Sequence, residues 1–483
     1  MPKMVALVAT VIALLTGCMF GPNYQRPAVA VPAQHRDAEP LTSSLADMAW
    51  FALFQDERLQ ALIRTALENN YDVRIAAARV LEAQAQLGVT RSFLLPAVDG
   101  AAAVGRDRVS EERFLPPPSN PEGNTFFLGL TLNWEVDVWG RIRRETEAAR
   151  AELLSTEWAQ RAVLVTVIAE VTRAYFLLRS LDNELEIARR TLASREKSLR
   201  LTRLRKEQGV TTRLEVRQAE TLVYEAAATI PEVKRQMAQT ENAIRLLLGQ
   251  PPGDIERGLP LTEQPVPPEI PAGLPAALLE RRPDIRASEE LLVAANAQIG
   301  AAKALYFPRI SITGLLGIES AALTDFIKAS ALTWSIGAEA LQPIFNYGRI
   351  RSINAATQAR YLQLLAQYEQ TIQTSFREVS DALIGYRNTR EQRDQQTLLV
   401  AARQDSTVLA NLRFFGGLDS YLQVLDAERA LFDEELTLVR LQRDELLNIV
   451  QLYRALGGGW ESATTPEGAR PAVSALVKPA GGQ

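Results

Sequence analysis

Apolar and polar residues alternate strictly along one stretch of the chain. Phe126, Leu128, Leu130, Leu132, Trp134, Val136 and Val138 hold the even positions, and Thr131, Asn133, Glu135 and Asp137 stand among the odd ones. A period of two marks a strand with one apolar face. Arg309 to Glu319 repeats it, with Ile310, Ile312, Leu316 and Ile318 against Arg309, Ser311, Thr313 and Glu319. So does Leu332 to Gln342, where Leu332, Trp334 and Ile336 alternate with Thr333, Ser335 and Glu339. A fourth strand, built of small residues, precedes the first. The pattern predicts strands at about 97–106, 126–138, 309–319 and 331–342.

Between the strand pairs the chain reads as very long helices. Arg141 to Gln208 contains neither Gly nor Pro, and Arg349 to Phe415 contains only Gly385. At 1.5 Å per residue each would run for about 100 Å. Each stops at a glycine turn, Gly209 or Gly416-Gly417, and is followed by a returning helix to about Leu248 or Leu456. Ahead of the strands, Asp56 to Leu95 lacks Pro and reads as one helix, with Pro283 to Phe307 as its counterpart.

These elements occur twice. Trp139-Gly140-Arg141-Ile142-Arg143 matches Tyr347-Gly348-Arg349-Ile350-Arg351 at a shift of 208. The same shift carries Gly209-Val210 onto Gly417-Leu418, Ala219-Glu220 onto Ala427-Glu428, and Leu248-Gly249 onto Leu456-Gly457. Phe93 to Pro96 matches Leu305 to Pro308 at a slightly longer shift. The chain reads as a tandem duplication, with structural repeats at 56–250 and 275–460, a Pro/Gly-rich linker at 251–274 and a disordered tail at 461–483.

Composition adds the destination. Of 483 residues, 47% are hydrophobic and the formal net charge is −4, so no basic footprint for nucleic acid is present. Lys3 precedes an apolar run, Met4 to Leu15, too short to span a bilayer and suited to a signal-peptide core. The run ends Leu15-Thr16-Gly17-Cys18, and Cys18 is the only cysteine. This resembles a bacterial lipobox, which implies a leader at 1–17, acylation of Cys18 and a lipid-anchored segment at 18–55. Met19 stands where the inner-membrane retention signal carries Asp, which points to the outer membrane. Strands of this length in an exported chain suit an outer-membrane barrel, but four strands cannot close and the smallest barrels have eight. Two copies would supply eight strands and three would supply twelve.

No catalytic or metal-binding motif occurs, no cofactor is implied, and the chain reads as a non-enzyme. The single histidine, His35, reads as a chance surface residue. After Gly417, the residues Asp419, Leu422, Gln423 and Asp426 are spaced to share one helix face.

The chain resembles the TolC-like outer-membrane factor family, in the lipoprotein branch serving resistance-nodulation-division (RND) pumps. Cys18 with Gly21-Pro22-Asn23-Tyr24, Trp139-Gly140-Arg141, Arg281-Arg282-Pro283-Asp284-Ile285, Phe307-Pro308 and Tyr421 to Ala427 carry the likeness. The resemblance implies a mixed α and β membrane protein with four transmembrane β-strands and long periplasmic helical hairpins per chain. It implies a homotrimer forming a 12-stranded β-barrel and an α-helical barrel, docked to a periplasmic adaptor and an inner-membrane RND pump. Leu422 and Asp426, flanked by Asp419 and Gln423, would then match the rings that close the periplasmic end. Some relatives carry a second aspartate at the place of Gln423. The glycine tips, with Gly209, Val210, Gly416 and Gly417, would face the adaptor. The alternatives are a lipid-anchored periplasmic structural or adaptor protein, or the outer-membrane duct of a type I protein secretion system.

Overall fold

The computed structural model describes residues 19–36, 44–110, 112, 122–265, 271 and 273–460. Cys18, the 1–17 leader and the 461–483 tail lie outside the described residues.

After a one-turn helix, Trp50–Leu53, the elements run α1 (Glu57–Asn69), α2 (Tyr71–Ser92), β1 (Ala97–Arg108), β2 (Glu122–Val136), α3 (Arg141–Glu207) and α4 (Arg213–Leu247). The set then repeats as α5 (Pro275–Arg281), α6 (Pro283–Ala304), β3 (Arg309–Ser320), β4 (Leu332–Leu341), α7 (Arg349–Phe415) and α8 (Tyr421–Ala455). Both ends of α3 and α4 map onto those of α7 and α8 at a shift of 208. No described helix is long and apolar enough to cross a membrane.

The helix expected over Asp56 to Leu95 is in fact two. Asn70 breaks it: its side-chain oxygen accepts the N–H groups of Asp72 and Val73, starting α2, and its amide donates to the Leu247 carbonyl at 2.9 Å. Asn is favoured at such a cap because its short side chain satisfies otherwise orphan donors. In the second repeat, Arg282 occupies the same break and donates to the Ala455 carbonyl at 2.9 Å.

The chain divides into two compact units. The first contains Arg79–Glu157, Ala287–Glu369 and the segment up to Ala28; the second contains Val29–Ala78, Trp158–Arg286 and the chain from Gln370.

The first unit holds an antiparallel sheet in the order β1-β2-β3-β4. Its registers place even positions opposite even ones throughout: Val98 faces Leu132, Leu130 faces Leu316, and Leu316 faces Trp334. The even-numbered apolar positions therefore fall on one face, while Phe127, Leu315 and Leu341 stand on the opposite one. That opposite face also carries Asp99, Thr131, Asn133, Ser311, Thr313, Ser335 and Glu339. Gly129 and Gly317 face each other there; a Cβ on either would lie 2.8 Å from the other's Cα, and the Phe127 ring covers both. β2 ends at Val136, two residues before the expected limit. The Asp137 carboxylate accepts the N–H groups of Ile142 and Arg143, turning the chain into α3.

The N-terminal segment docks in this same unit. The guanidinium of Arg144, 2% exposed, donates to the carbonyls of Phe20 and Gly21 and to Asn23 Oδ1, while Asn296 donates to the Pro22 carbonyl. Phe20 lies 4.3 Å from Phe307, which stacks on Trp139 at 5.0 Å.

The second unit centres on a buried carboxylate. Asp56 caps α1 through Arg58 and Leu59 N–H, and accepts from Tyr175 Oη (2.8 Å), Leu259 N (2.9 Å) and Gln264 Nε2 (2.9 Å). His35 is also buried there, contrary to its reading as a surface residue, and burial lowers its pKa.

Candidate functional site

The two glycine turns are built alike. At the end of α3, Gly209 takes φ +74° and donates to the Lys206 carbonyl at 3.0 Å, while Val210 N–H reaches the Arg205 carbonyl at 2.9 Å. At the end of α7, Gly417 takes φ +75° and donates to Phe414 at 3.0 Å, and Leu418 N–H reaches Arg413 at 2.9 Å. These are glycine helix stops, where a left-handed residue ties down the last free carbonyls. A Cβ at Gly209 or Gly417 would meet nothing within 4 Å, so only backbone conformation demands glycine. Gly416 remains outside the left-handed region and donates to the Leu412 carbonyl.

The restarts differ. Thr212 and Glu215 form a reciprocal capping box ahead of α4, whereas Ser420 makes no side-chain cap ahead of α8. Val210 and Leu418 are both strongly exposed.

The second unit brings the two tips together. Leu199, Val216, Ala219, Leu222 and Val223 of the first hairpin pack with Phe414, Tyr421, Val424 and Leu425 of the second. Arg205 lies 4.9 Å over the Phe414 ring and donates to the Phe415 carbonyl at 3.2 Å. Burial pushes the Tyr421 hydroxyl pKa well up.

That packing decides what α8 presents. Tyr421, Val424 and Leu425 face the core, so helical spacing turns Leu422, Gln423 and Asp426 outward, and all three are exposed. Asp419 departs from the expected arrangement. α8 begins only at Tyr421, so Asp419 lies in the preceding turn, ion-paired with Arg413, and does not share the helix face.

One residue was missed by sequence reasoning. Arg195 of α3 is 2% exposed and donates to the carbonyls of Leu222 (2.8 Å) and Glu428 (3.1 Å), joining α3 to α4 and α8. Its Nε lies 4.0 Å from the Glu428 carboxylate, and the guanidinium sits 5.1 Å over Phe432. Burial holds the Glu428 carboxyl above the usual range despite Arg195, and burial lowers the Arg195 pKa despite Glu428 and Glu225. Glu220, the counterpart of Glu428, instead holds Arg203 and Arg217. An arginine in a charge-rich helix gives no signal of burial, because its partners come from other helices. Among the described residues, no group of three His, Cys, Asp or Glu side chains is placed to hold a metal ion.

Known proteins resemble the chain over nearly its whole length. The family profile described as outer membrane efflux protein matches residues 62–250 and again 274–458. The solvent efflux pump outer membrane protein SrpC of Pseudomonas putida is 38% identical over 473 residues, covering 95% of this chain and 99% of that protein. The cation efflux system protein CusC of Escherichia coli is 34% identical, covering 92% and 97%. The open-state crystal structure of the Neisseria gonorrhoeae MtrE outer membrane channel superposes with a TM-score of 0.83 at 31% identity, covering 92% of this chain and 99% of that one.

Proposed function

Because the chain belongs to the outer membrane efflux protein family, we propose that it works as the homotrimeric outer-membrane channel of a tripartite efflux system. The observation that carries this reading is the sheet, with one apolar face continuous across four strands and both edge strands, β1 and β4, open. In hydrocarbon an open edge leaves backbone groups unpaired at several kcal/mol each, so the strands must close. Three copies supply twelve strands, enough for a lumen lined by the polar odd positions.

The long hairpins α3–α4 and α7–α8 carry too many charges for lipid and stand in the periplasm. Cys18 is acylated and anchors the chain to the outer membrane. The tips carrying Gly209, Val210, Gly416 and Gly417 contact a periplasmic adaptor, which couples the channel to an inner-membrane RND pump. In three copies, Leu422 and Asp426 form an apolar and an acidic ring that close the resting duct. Gln423 keeps the acidic ring to one carboxylate per chain, and Asp419, held by Arg413, supports the turn beside it. Relatives are named for solvents and for cations, and the cargo proposed for this channel is drugs or other small molecules.

The test is native mass spectrometry in detergent with conductance in planar bilayers. A trimer with discrete channel openings is expected. A stable monomer that forms no channel would remove the reading.

A further inference from the structure

The arginines that open α3 and α7 are duplicates in different surroundings. In the first repeat, Arg141 holds Glu135 at 2.9 Å and Glu145 at 2.7 Å, and Arg143 holds Asp137 at 3.2 Å. The shift of 208 carries both arginines over unchanged, as Arg349 and Arg351. Under the same shift Glu135, Asp137 and Glu145 become Pro343, Phe345 and Ile353. Every acidic partner has given way to an apolar residue. Among the described residues, neither the Arg349 nor the Arg351 guanidinium has an ion pair or a hydrogen bond.

Arg349 lines a cavity of about 410 Å³ in the first unit, where the ends of the strands meet the start of α7. Sites for small molecules commonly measure about 300–1,000 Å³. The other charged groups on its wall are Glu135, Asp137, Arg141 and Arg309. Both carboxylates are already matched. Glu135 is held by Arg141, and Asp137 by Arg143 and by the backbone N–H groups of Ile142 and Arg143. Arg309 is as free as Arg349 among the described residues. It follows Pro308 as Ala97 follows Pro96, so the first repeat has no equivalent charge. The cavity thus presents two uncompensated positive charges. Phe307, Leu341, Pro343 and Ile353 supply apolar wall beside them.

The strand residues also give the cavity a side. Glu135, Arg309 and Leu341 hold odd positions, on the sheet face proposed above to line the duct.

We propose that this cavity binds an amphiphilic anion passing through the duct, a molecule with a carboxylate, sulfonate or phosphate head and an apolar body. Arg349 and Arg309 hold the head, because the planar guanidinium fork matches such oxyanions. The body lies on Phe307, Leu341, Pro343 and Ile353. A cationic amphiphile of the same size meets two like charges and is disfavoured. The site is built within one chain; its access to cargo rests on the channel reading above.

Isothermal titration calorimetry tests this on the full-length protein in phosphatidylcholine nanodiscs, with empty discs as the blank. The probes are octanesulfonate and octyltrimethylammonium, which share one alkyl chain, both below their micelle-forming concentrations. Saturable binding of the sulfonate is expected, and at least tenfold weaker binding of the ammonium. Arg349→Gln and Arg309→Gln should each weaken the sulfonate at least tenfold. Arg351→Gln removes an equally unpaired arginine outside the cavity and should leave its affinity unchanged. Ile353→Glu returns to Arg349 the i,i+4 partner that Arg141 has in Glu145, and should likewise weaken the sulfonate at least tenfold. Equal binding of the two probes, or an equal loss in Arg351→Gln, overturns the site. Phosphatidylglycerol added to the discs should not compete; if it displaces the sulfonate, the cavity takes a lipid headgroup and the duct is not its source. A trimer that binds no sulfonate overturns the site alone. A monomer that binds it overturns the channel reading, and with it the duct as the source of the ligand.

Discussion

The side-chain amide of Asn70 donates to the Leu247 carbonyl at 2.9 Å, tying the start of α2 to the last turn of α4. Arg282 makes the corresponding bond to Ala455 at 2.9 Å in the second repeat. Two chemically different side chains perform one task, so the duplication conserves a contact while its residue identity has drifted. Carbonyls at a helix end need such partners because no intrahelical donor remains for them.

The Asp56 carboxylate should make stability pH-dependent. Burial opposes its ionisation, but hydrogen bonds from Gln264, Tyr175, Leu59 and Leu259 outweigh that and hold its pKa below the usual carboxylate range. A carboxyl depressed in the folded state contributes stability that is present above the unfolded pKa of about 3.9 and is lost as pH falls through the lower folded value. Asp56→Asn should therefore destabilise at pH 7, by roughly 1.5–3 kcal/mol. The deficit should shrink as pH falls below about 4. Thermal melts of wild type and variant across pH 3–7 read this directly, and a pH-independent difference would contradict the assignment.

At the helix tips, Gly209→Ala and Gly417→Ala place a Cβ in open space but force an L-residue to φ near +75°. Each should cost about 1–2 kcal/mol through backbone conformation alone. Gly209→Trp should add a steric obstacle to the adaptor and block export while trimer content stays normal. Drug susceptibility of complemented cells, beside immunoblots of trimer, checks this; unimpaired efflux with bulky residues at both tips would place docking elsewhere.

For the proposed gate, Leu422→Ser with Asp426→Ala should raise resting conductance and sensitise cells to large antibiotics. Both side chains are exposed in the single chain, so neither change should disturb folding by more than about 0.5 kcal/mol. Wild-type conductance with normal expression would reduce this face to ordinary surface.

The N-terminal segment should be held independently of its lipid. Arg144→Ala removes the donors that hold Phe20, Gly21 and Asn23, a local loss on the order of 3 kcal/mol, and should open residues 19–28 to protease. Cys18→Ser should abolish palmitate labelling and leave that segment protected. Labelling that survives Cys18→Ser would remove the lipoprotein reading.

The sequence alone determined whatever depends on local period and local conformation. Period-two alternation located β2, β3 and β4 to within a few residues, because a half-buried strand must alternate. Freedom from Pro, and from Gly except for Gly385, marked α3 and α7, and the glycines that end them were legible because few other residues adopt a left-handed φ without strain. The constant shift exposed the duplication for the same reason. Tertiary structure decided the rest. The break at Asn70 depends on a carbonyl 177 positions away, so nothing nearby in sequence separates a helix-interior asparagine from a cap. The withdrawal of Asp419 from the α8 face follows from its pairing with Arg413 in a turn whose start no periodicity marks. The burial of Arg195 required Leu222 and Glu428 from two other helices. A charged side chain in a helix reads as solvated until the groups that replace its water are in place, and only the folded chain brings those groups to it.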